Sequence, residues 1–140
     1  MFIRSVREVV AGRSLPAVQI GTTVRAAAHV LDQFNIGALL VLEGTRLVGV
    51  MSERDVIRRC IGHDENPDTT CVEDIMTPDP KTVEAEAGLN DALAIMSEGH
   101  FRHMPVMDQG EVIALLSIRD IPTEYRLMYE RFQEYRAPRG

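Results

Sequence analysis

Two short motifs in the sequence place a hydroxyl, an arginine and a carboxylate directly after an apolar run. They are S-E-R-D at residues 52–55 and S-I-R-D at residues 117–120. Where a strand ends and a helix begins, such a serine and aspartate can hold the vicinal hydroxyls of a ribose. The helix N-terminus and the adjacent arginine, Arg54 or Arg119, favour a phosphate group. The motifs therefore predict candidate sites for a ligand that carries ribose and phosphate.

A purely structural role explains part of the same pattern. A serine followed three residues later by an acidic residue forms a capping box, with Ser52 and Ser117 as the N-caps. Glu or Gln is more usual than Asp at the third helical position, and the recurrence of Arg before Asp needs a further reason. Pro122, which lacks a backbone N–H, is expected to start the final helix afresh after the second motif. The spacing alone leaves both roles open.

The two motifs belong to an internal repeat. A shift of 65 residues aligns positions 18–55 with positions 83–120 without a gap, with six identities among 38 pairs. In each copy, apolar residues at helical spacing, such as Val24, Ala27 and Leu31, predict a helix that faces the core. Two apolar runs separated by a glycine-containing break then predict a β-hairpin. A fixed offset of this kind is typical of repeat architectures.

The order strand, helix, strand, strand, helix occurs twice. Units of about 60 residues are marginally stable alone, so the two are expected to bury their apolar faces against each other. We therefore predict an α+β (α/β-like) fold with two tandem β-α-β-β-α repeats stacked with pseudo-two-fold symmetry, plus a C-terminal amphipathic helix. The predicted boundaries are 1–62 for the first repeat, 63–70 for a linker, 71–121 for the second repeat, and 122–140 for the helix and tail.

Composition and charge restrict the classes of partner. The chain has 140 residues, 45% of them hydrophobic, and 15 basic against 21 acidic residues give a net charge of −6. This charge opposes binding to nucleic acid or an anionic membrane, and no apolar run approaches the roughly 18 residues of a membrane span. We expect a cytoplasmic protein without a nucleic-acid or membrane partner. Cys60 and Cys71, with His63 between them, are an incomplete metal set, so no metal site is predicted.

Together with the repeat, four segments resemble the CBS-domain pair, a family named after cystathionine β-synthase. They are G-V-M-S-E-R-D at 49–55, A-L-L-S-I-R-D at 114–120, V-E-D-I-M-T at 72–77 and F-R-H-M-P-V-M-D at 101–108. The resemblance covers about residues 5–121. It implies stacked repeats that bind an adenine nucleotide (AMP, ADP, ATP, NAD(H) or NADH) or S-adenosyl-methionine as a regulatory ligand in the clefts between them. It also implies a homodimer that signals through its geometry or acts on a separate effector protein.

The resemblance assigns ribose and adenine contacts by matching position. Ser52 and Asp55 would hold the ribose in one cleft. Ser117 and Asp120 would do so in the other, and each motif would face the segment that opens the opposite repeat. The adenine would pack against Ser14, Leu15, Pro16, Val18, Ile36 and Ala38 in the Asp120 cleft, and against Thr77, Pro78, Lys81 and Phe101 in the Asp55 cleft.

Phosphate contacts are implied by basic residues. Arg102, His103 and Arg119 would form a cluster in the Asp120 cleft. Arg54 would be the main cation of the other cleft, so the Asp120 cleft is the expected site of a phosphorylated ligand. A surface histidine and a solvated arginine are the structural alternative for residues 102 and 103.

The C-terminal segment predicts an amphipathic helix. Ile121, Tyr125, Met128, Tyr129 and Phe132 recur at helical spacing and form one stripe. This helix can pack on its own domain or bind a second copy of the chain. A ligand-free dimerisation or protein-interaction scaffold, in which both motifs only cap helices, is therefore the alternative to a nucleotide sensor.

Catalysis is the least supported function. The sequence has no G-x-x-x-x-G-K-[ST] phosphate loop, no H-E-x-x-H and no G-x-S-x-G. Asp55 and Asp120 are acids without an evident catalytic partner. A binding protein is expected rather than an enzyme acting on a nucleotide.

Overall fold

The structure is a computed structural model that describes residues 4–136. It confirms the predicted α+β fold, with two tandem repeats of like topology and a C-terminal helix. The first half comprises α1 (Val6–Val10), β1 (Ala17–Gln19), α2 (Val24–Phe34), β2 (Ala38–Glu43), β3 (Arg46–Ser52) and α3 (Glu53–Asp55), which continues as a π-helical turn (Val56–Cys60) and a 3-10 turn (Ile61–His63). The second half comprises α4 (Val72–Ile75), β4 (Thr77–Pro78), β5 (Val83–Glu84), α5 (Leu89–Gly99), β6 (His103–Asp108), β7 (Glu111–Ser117), a 3-10 turn (Ile118–Asp120) and α6 (Thr123–Arg136).

The strands form two sheets with the same core pattern. The first has the order β1-β2-β3-β4 and the second β5-β6-β7, and in each a parallel strand precedes an antiparallel hairpin. Both hairpins close with two-residue turns. Gln109 and Gly110 both have positive φ angles (51° and 81°), whereas in the first hairpin only Gly44 does (63°). The turn glycine therefore shifts by one position between the copies without changing the hairpin register.

β2 is apolar almost throughout because both of its faces are buried. Leu39 and Val41 belong to the core beneath α2. Leu40 and Leu42 lie on the opposite face, in a cluster that also contains Leu115 of β7. This cluster joins the two sheets. A continuous apolar run, rather than strict alternation, is the pattern expected for a strand buried on both sides.

The short helix at the start of each repeat packs in the core of the other repeat. Val6 of α1 is fully buried in the core of the second repeat, and its backbone N–H donates to Ala87 O (2.8 Å). Val72 of α4 is fully buried in the core of the first repeat, and its N–H donates to Thr22 O (2.9 Å). These equivalent contacts cross between the halves of the chain. Separation of the repeats would therefore remove part of each core.

The two sheets differ at one glycine. β4 pairs with β3 opposite Gly49, where a Cβ atom would lie 2.3 Å from Met76 Sδ and 2.9 Å from Thr77 O. The position 65 residues later is Ala114, whose methyl group is buried. Within the described residues the second sheet has no fourth strand. The absence of a side chain at Gly49 thus allows β4 to approach the first sheet.

The C-terminal helix packs on the second repeat. Ile121 and Tyr125 are buried in that core, and the Tyr125 hydroxyl accepts a hydrogen bond from Arg4 N–H (3.1 Å). Met128 and Phe132 remain largely exposed on α6. Packing on its own domain, one of the two expected roles, is therefore observed, and binding to a second copy stays a prediction. No helix within residues 4–136 is long and apolar enough to cross a membrane.

Gly49→Ala is expected to lower the free energy of unfolding by about 1–3 kcal/mol, because the new methyl group would overlap Met76 and the Thr77 carbonyl. Urea unfolding followed by circular dichroism measures the loss. Met76→Ala removes the side-chain part of the overlap, so Gly49→Ala should cost less in that background. Equal costs in both backgrounds would contradict this account of the close approach.

Candidate functional site

Both motifs form helix N-terminal caps. The Ser52 backbone N–H donates to Asp55 Oδ2 (2.8 Å), and Asp55 N–H donates back to Ser52 Oγ (3.2 Å). In the second copy, Ser117 N–H donates to Asp120 Oδ2 (2.8 Å), and Arg119 N–H donates to Ser117 Oγ (3.2 Å). The capping role is therefore confirmed in both copies. These backbone contacts use one carboxylate oxygen of each aspartate, so capping and ligand binding are compatible.

A cavity of about 490 Å³ lies beside the first motif. The first repeat contributes Gly37 and residues 50, 52, 53, 54 and 55 to its lining. The second repeat contributes Thr77, residues 79–81 and residues 100–103. The volume falls within the range of roughly 300–1,000 Å³ that is typical of small-molecule sites. The cavity is thus a cleft between the repeats, with lining from both.

Most residues predicted for the Asp55 cleft line this cavity. The exception is Pro78, which pairs with Gly49 in β4 and is not among the lining residues. Asp79, Pro80 and His100 also line the cavity, although the sequence analysis did not select them. The predicted residues found in the lining are Ser52, Arg54, Asp55, Thr77, Lys81 and Phe101.

The end of α5 positions the second repeat's side of the cavity. His100 ends the helix in the left-handed conformation (φ 57°), so the chain turns sharply there. The Phe101 ring packs directly over Gly99, where a Cβ atom would lie only 2.1 Å from the ring. The glycine therefore provides the space that Phe101 occupies, next to the start of β6.

Arg102 and His103 line the first cavity, whereas the sequence analysis grouped them with Asp120. Their backbone does lie beside the second motif, because Ile118 N–H donates to Arg102 O (2.8 Å). The segment that leads into one repeat's hairpin nevertheless faces the other repeat's motif. Phe101 was predicted for the Asp55 cleft and lines this cavity, and Arg102 and His103 line it as well.

His103 is electrostatically linked to both motifs. Burial lowers the pKa of His103 below its ordinary value. Glu53 of the first motif and Asp120 of the second oppose this lowering of the pKa, while Arg119 and Arg102 reinforce it. The neutral imidazole is therefore favoured in the empty cleft. A negative group placed beside it would favour the protonated form.

Each motif aspartate pairs with an arginine that the sequence analysis missed. Arg59 Nε lies 3.5 Å from Asp55 Oδ1, and Arg13 Nη1 lies 2.9 Å from Asp120 Oδ2. The first pair has the i, i+4 spacing of helical ion pairs, so the sequence did contain a signal for it. The second joins residues 107 positions apart, and no local pattern indicates it.

The other residues predicted for the Asp120 cleft lie in different environments. Arg13 ties the segment that precedes β1 to the second motif. The predicted adenine contacts of this cleft remain a prediction. Ser14 and Leu15 are exposed, Pro16 and Val18 are half-buried, Ile36 packs against the core of the first repeat, and Ala38 is buried between the sheets.

The two cysteines are free thiols. Cys60 is buried and its Sγ lies 3.5 Å from Glu65 O, whereas Cys71 is half-buried. Within residues 4–136, no group of three or more His, Cys, Asp or Glu side chains is placed to hold a metal ion.

The two repeats both match one known domain family. The family model of the CBS domain matches residues 6–62 and residues 72–124. The chain belongs to the CBS-domain family. Its two copies form a tandem CBS pair, as the repeat and the four resembling segments predicted.

Curated relatives of this CBS pair include longer proteins. The CBS domain-containing protein CBSCBSPB3 of Arabidopsis thaliana is 35% identical over 116 residues, which are 82% of this chain and 21% of that protein. The match to CBSCBSPB5 of the same plant is 31% identical over 102 residues, 72% of this chain and 19% of that protein. The chain thus spans about a fifth of the length of these relatives.

Solved structures of similar size share the fold of the CBS pair. A putative signal-transduction protein with CBS domains from Burkholderia ambifaria is 31% identical, with a TM-score of 0.79 and coverage of 84% of this chain and 90% of that chain. A CBS domain protein from Pyrobaculum aerophilum, complexed with AMP, is 25% identical, with a TM-score of 0.81 and coverage of 91% and 99%.

The stability of this CBS pair should depend on the protonation of His103. Because the folded-state pKa of His103 lies below its ordinary value of 6.5, the unfolded chain binds this proton at higher pH than the native protein does. The contribution of His103 to the free energy of unfolding should therefore be complete above pH 6.5 and should decrease as the pH falls below that value. Urea unfolding between about pH 7.5 and about pH 5.5 measures this slope.

His103→Gln should flatten the pH dependence in that interval, because it removes the half-buried titrating group. His63→Gln, in the exposed linker, is the matched control and should leave the contribution of His103 intact. An equally steep dependence in His103→Gln and wild type would contradict the assignment to His103.

Proposed function

We propose that this CBS pair is a regulatory module that binds an adenine nucleotide in the cavity beside Asp55. The observation that carries the proposal is the composition of that cavity. Its lining combines the serine and aspartate of the first helix cap with the aromatic ring of Phe101 and several basic residues. The AMP complex of the Pyrobaculum aerophilum protein supports the ligand class. Binding rather than catalysis is proposed.

Within this proposal, the ribose hydroxyls contact Ser52 and Asp55. The adenine packs near Phe101 and Thr77, which line the cavity from the second repeat. A ligand in this position contacts both repeats at once. It would therefore stabilise one relative arrangement of the repeats over others, which is the requirement for a ligand to act as a regulator.

The phosphate groups are assigned to the basic residues of the cavity lining, which also contains the acidic residues Glu53 and Asp79. Arg54, Lys81 and Arg102 supply positive charge, and His103 lies beside them. A phosphate in contact with His103 would favour its protonated form, since the added negative charge stabilises the imidazolium. These contacts favour the Asp55 cleft, rather than the Asp120 cleft, as the main site of a phosphorylated ligand.

The Asp120 cleft is a second proposed site. Ser117, Asp120 and Arg119 present the same groups as the first motif, but Arg13 lies 2.9 Å from the Asp120 carboxylate, a closer ion pair than the 3.5 Å between Arg59 and Asp55. A ribose hydroxyl would have to share or replace that contact. We infer weaker binding in this cleft than beside Asp55.

Signal transmission is proposed to occur through a homodimer or a separate effector protein. α6 presents exposed apolar side chains, including Leu127 and Met128, each about half exposed (51% and 50%). Such a surface suits a protein contact. The scaffold alternative uses the same surface without a nucleotide, so only ligand binding separates the two functions.

Thermal unfolding with AMP, ADP, ATP, NADH and S-adenosyl-methionine tests the proposal. A ligand at 100 times its dissociation constant stabilises the native state by about 2.7 kcal/mol, which is a shift of several degrees in Tm. At least one adenine nucleotide should produce this shift in the wild type. Asp55→Ala should reduce this shift, because the ribose loses its carboxylate contact, and it should lower the stability of the unliganded protein by about 1 kcal/mol through loss of the cap.

Asp74→Ala is the matched control for the lost cap. Asp74 Oδ2 accepts a hydrogen bond from Cys71 N–H (2.9 Å) at the start of α4, in the same capping position as Asp55, but Asp74 does not line the Asp55 cavity. This variant should lose stability and keep the ligand-induced shift. No shift with any of the five compounds in the wild type would favour the scaffold.

A further inference from the structure

We propose that Arg59 is a positioning residue for the Asp55 cleft, which fixes the motif carboxylate relative to the segment between α4 and β4 that leads to Thr77 in the cavity lining. The role rests on the proposed nucleotide site and adds a residue outside the cavity lining. Arg59 lies on the helical segment that follows the first motif and contacts groups from both repeats.

The Arg59 side chain connects three groups. Its Nε lies 3.5 Å from Asp55 Oδ1. Its Nη1 donates to Ile75 O and Met76 O, each at 3.2 Å. The guanidinium group therefore links the carboxylate of the first motif to the backbone at the end of α4, directly before Thr77.

The chemistry of these groups explains why an arginine fits. Carbonyl groups in the last turn of a helix lack intrahelical donors, so Ile75 O needs a partner from elsewhere. Arginine offers several N–H groups in a rigid planar arrangement and can bond carbonyl and carboxylate oxygens at once. A single side chain thus satisfies the end of α4 and holds Asp55.

The contact restrains the carboxylate on both sides. Asp55 Oδ2 accepts from Ser52 N–H (2.8 Å), and Oδ1 faces Arg59. Thr77, the residue after Met76, lines the cavity from the second repeat. Arg59 therefore holds the proposed ribose and adenine contacts in a fixed relation before a ligand arrives.

The second motif has no equivalent on its own helix. The position 65 residues after Arg59 is Glu124, and Asp120 pairs instead with Arg13 from the start of the chain. Arg13 contacts Oδ2, the same oxygen that accepts the Ser117 cap. Support from Arg59 is thus particular to the Asp55 cleft.

Calorimetric titration with AMP and with 2′-deoxy-AMP tests this role. Arg59→Ala should weaken AMP binding by about five-fold, the effect of one partly exposed ion pair, since 53% of the Arg59 side chain is exposed. It should also reduce the preference for AMP over 2′-deoxy-AMP, because a carboxylate free to rotate discriminates less well for the 2′-hydroxyl. Arg58→Ala, which removes the same charge from the neighbouring exposed position, should change neither quantity.

A double-mutant cycle separates positioning from general stabilisation of the fold. In an Asp55→Ala background, Arg59→Ala should cause no further loss of AMP affinity, because its effect passes through the carboxylate. If Arg59→Ala does not fold, Arg59→Lys makes the same comparison, since one ammonium group cannot reproduce the planar donor arrangement. Additive losses, or an unchanged preference for the ribose, would overturn the role. Wild-type protein that binds none of the five compounds would reject the proposed site itself, whereas wild-type binding of AMP with Arg59→Ala equal to Arg58→Ala would reject the role of Arg59 alone.

Discussion

The burial of α1 in the second core and of α4 in the first is the contact on which the rest of the molecule depends. Val6 and Val72 are both fully buried at equivalent points. Full burial of a valine contributes roughly 1.5–3 kcal/mol, a sizeable part of the 5–15 kcal/mol that stabilises a typical domain. Separation of the repeats would therefore cost a large part of the stability of both cores. The cavity also depends on this pairing, because residues 50 and 52–55 lie in the first repeat and residues 100–103 in the second.

Near-symmetry of the backbone supports two clefts that differ chemically. Gly49 admits β4 beside the first motif, and the loop after β4 adds Lys81 to the cavity lining. At the second motif the equivalent strand position is Ala114, and the approaching segment brings Arg13 onto the carboxylate. A few substitutions on a repeated scaffold thus give the two motif aspartates different partners, Arg59 from the following helix and Arg13 from a distant segment. The similarity of the two motifs does not extend to their surroundings.

The sequence predicted what depends on local pattern and missed what depends on contacts across the fold. The helical spacing at Val24 and Leu31, the hairpin breaks and the restart of the chain at Pro122 were all sufficient to place elements. The exchange of α1 and α4 was not predicted, since helices of five and four residues carry too few apolar positions for a periodic signal. The 65-residue register also changes there, because the N-caps of these helices, residues 5 and 71, are 66 apart.

The site shows the same division. Phe101 was assigned to the Asp55 cleft by the crossing of the repeats, but Arg102 and His103 were grouped with the motif nearest in the hairpin. At the start of β6 the backbone lies beside the second motif, whereas the side chains line the cavity beside the first. The 65-residue offset of the repeat predicts only the position of the backbone. The pairing of Asp55 with Arg59 was missed although it has helical i, i+4 spacing, whereas the pairing of Asp120 with Arg13 spans 107 positions and has no local signal.

Because each aspartate closes a helix cap, its loss lowers stability whether or not a ligand binds. A descendant of this chain that no longer met its ligand would still lose stability on losing Asp55 or Asp120, so the motif would persist as a structural remnant. The Ser-x-Arg-Asp pattern therefore identifies ancestry more securely than present use. Residues with no part in the cap, such as Lys81 and Phe101, would be substituted first once ligand binding was lost. They are therefore the better markers of a cleft that still binds a ligand.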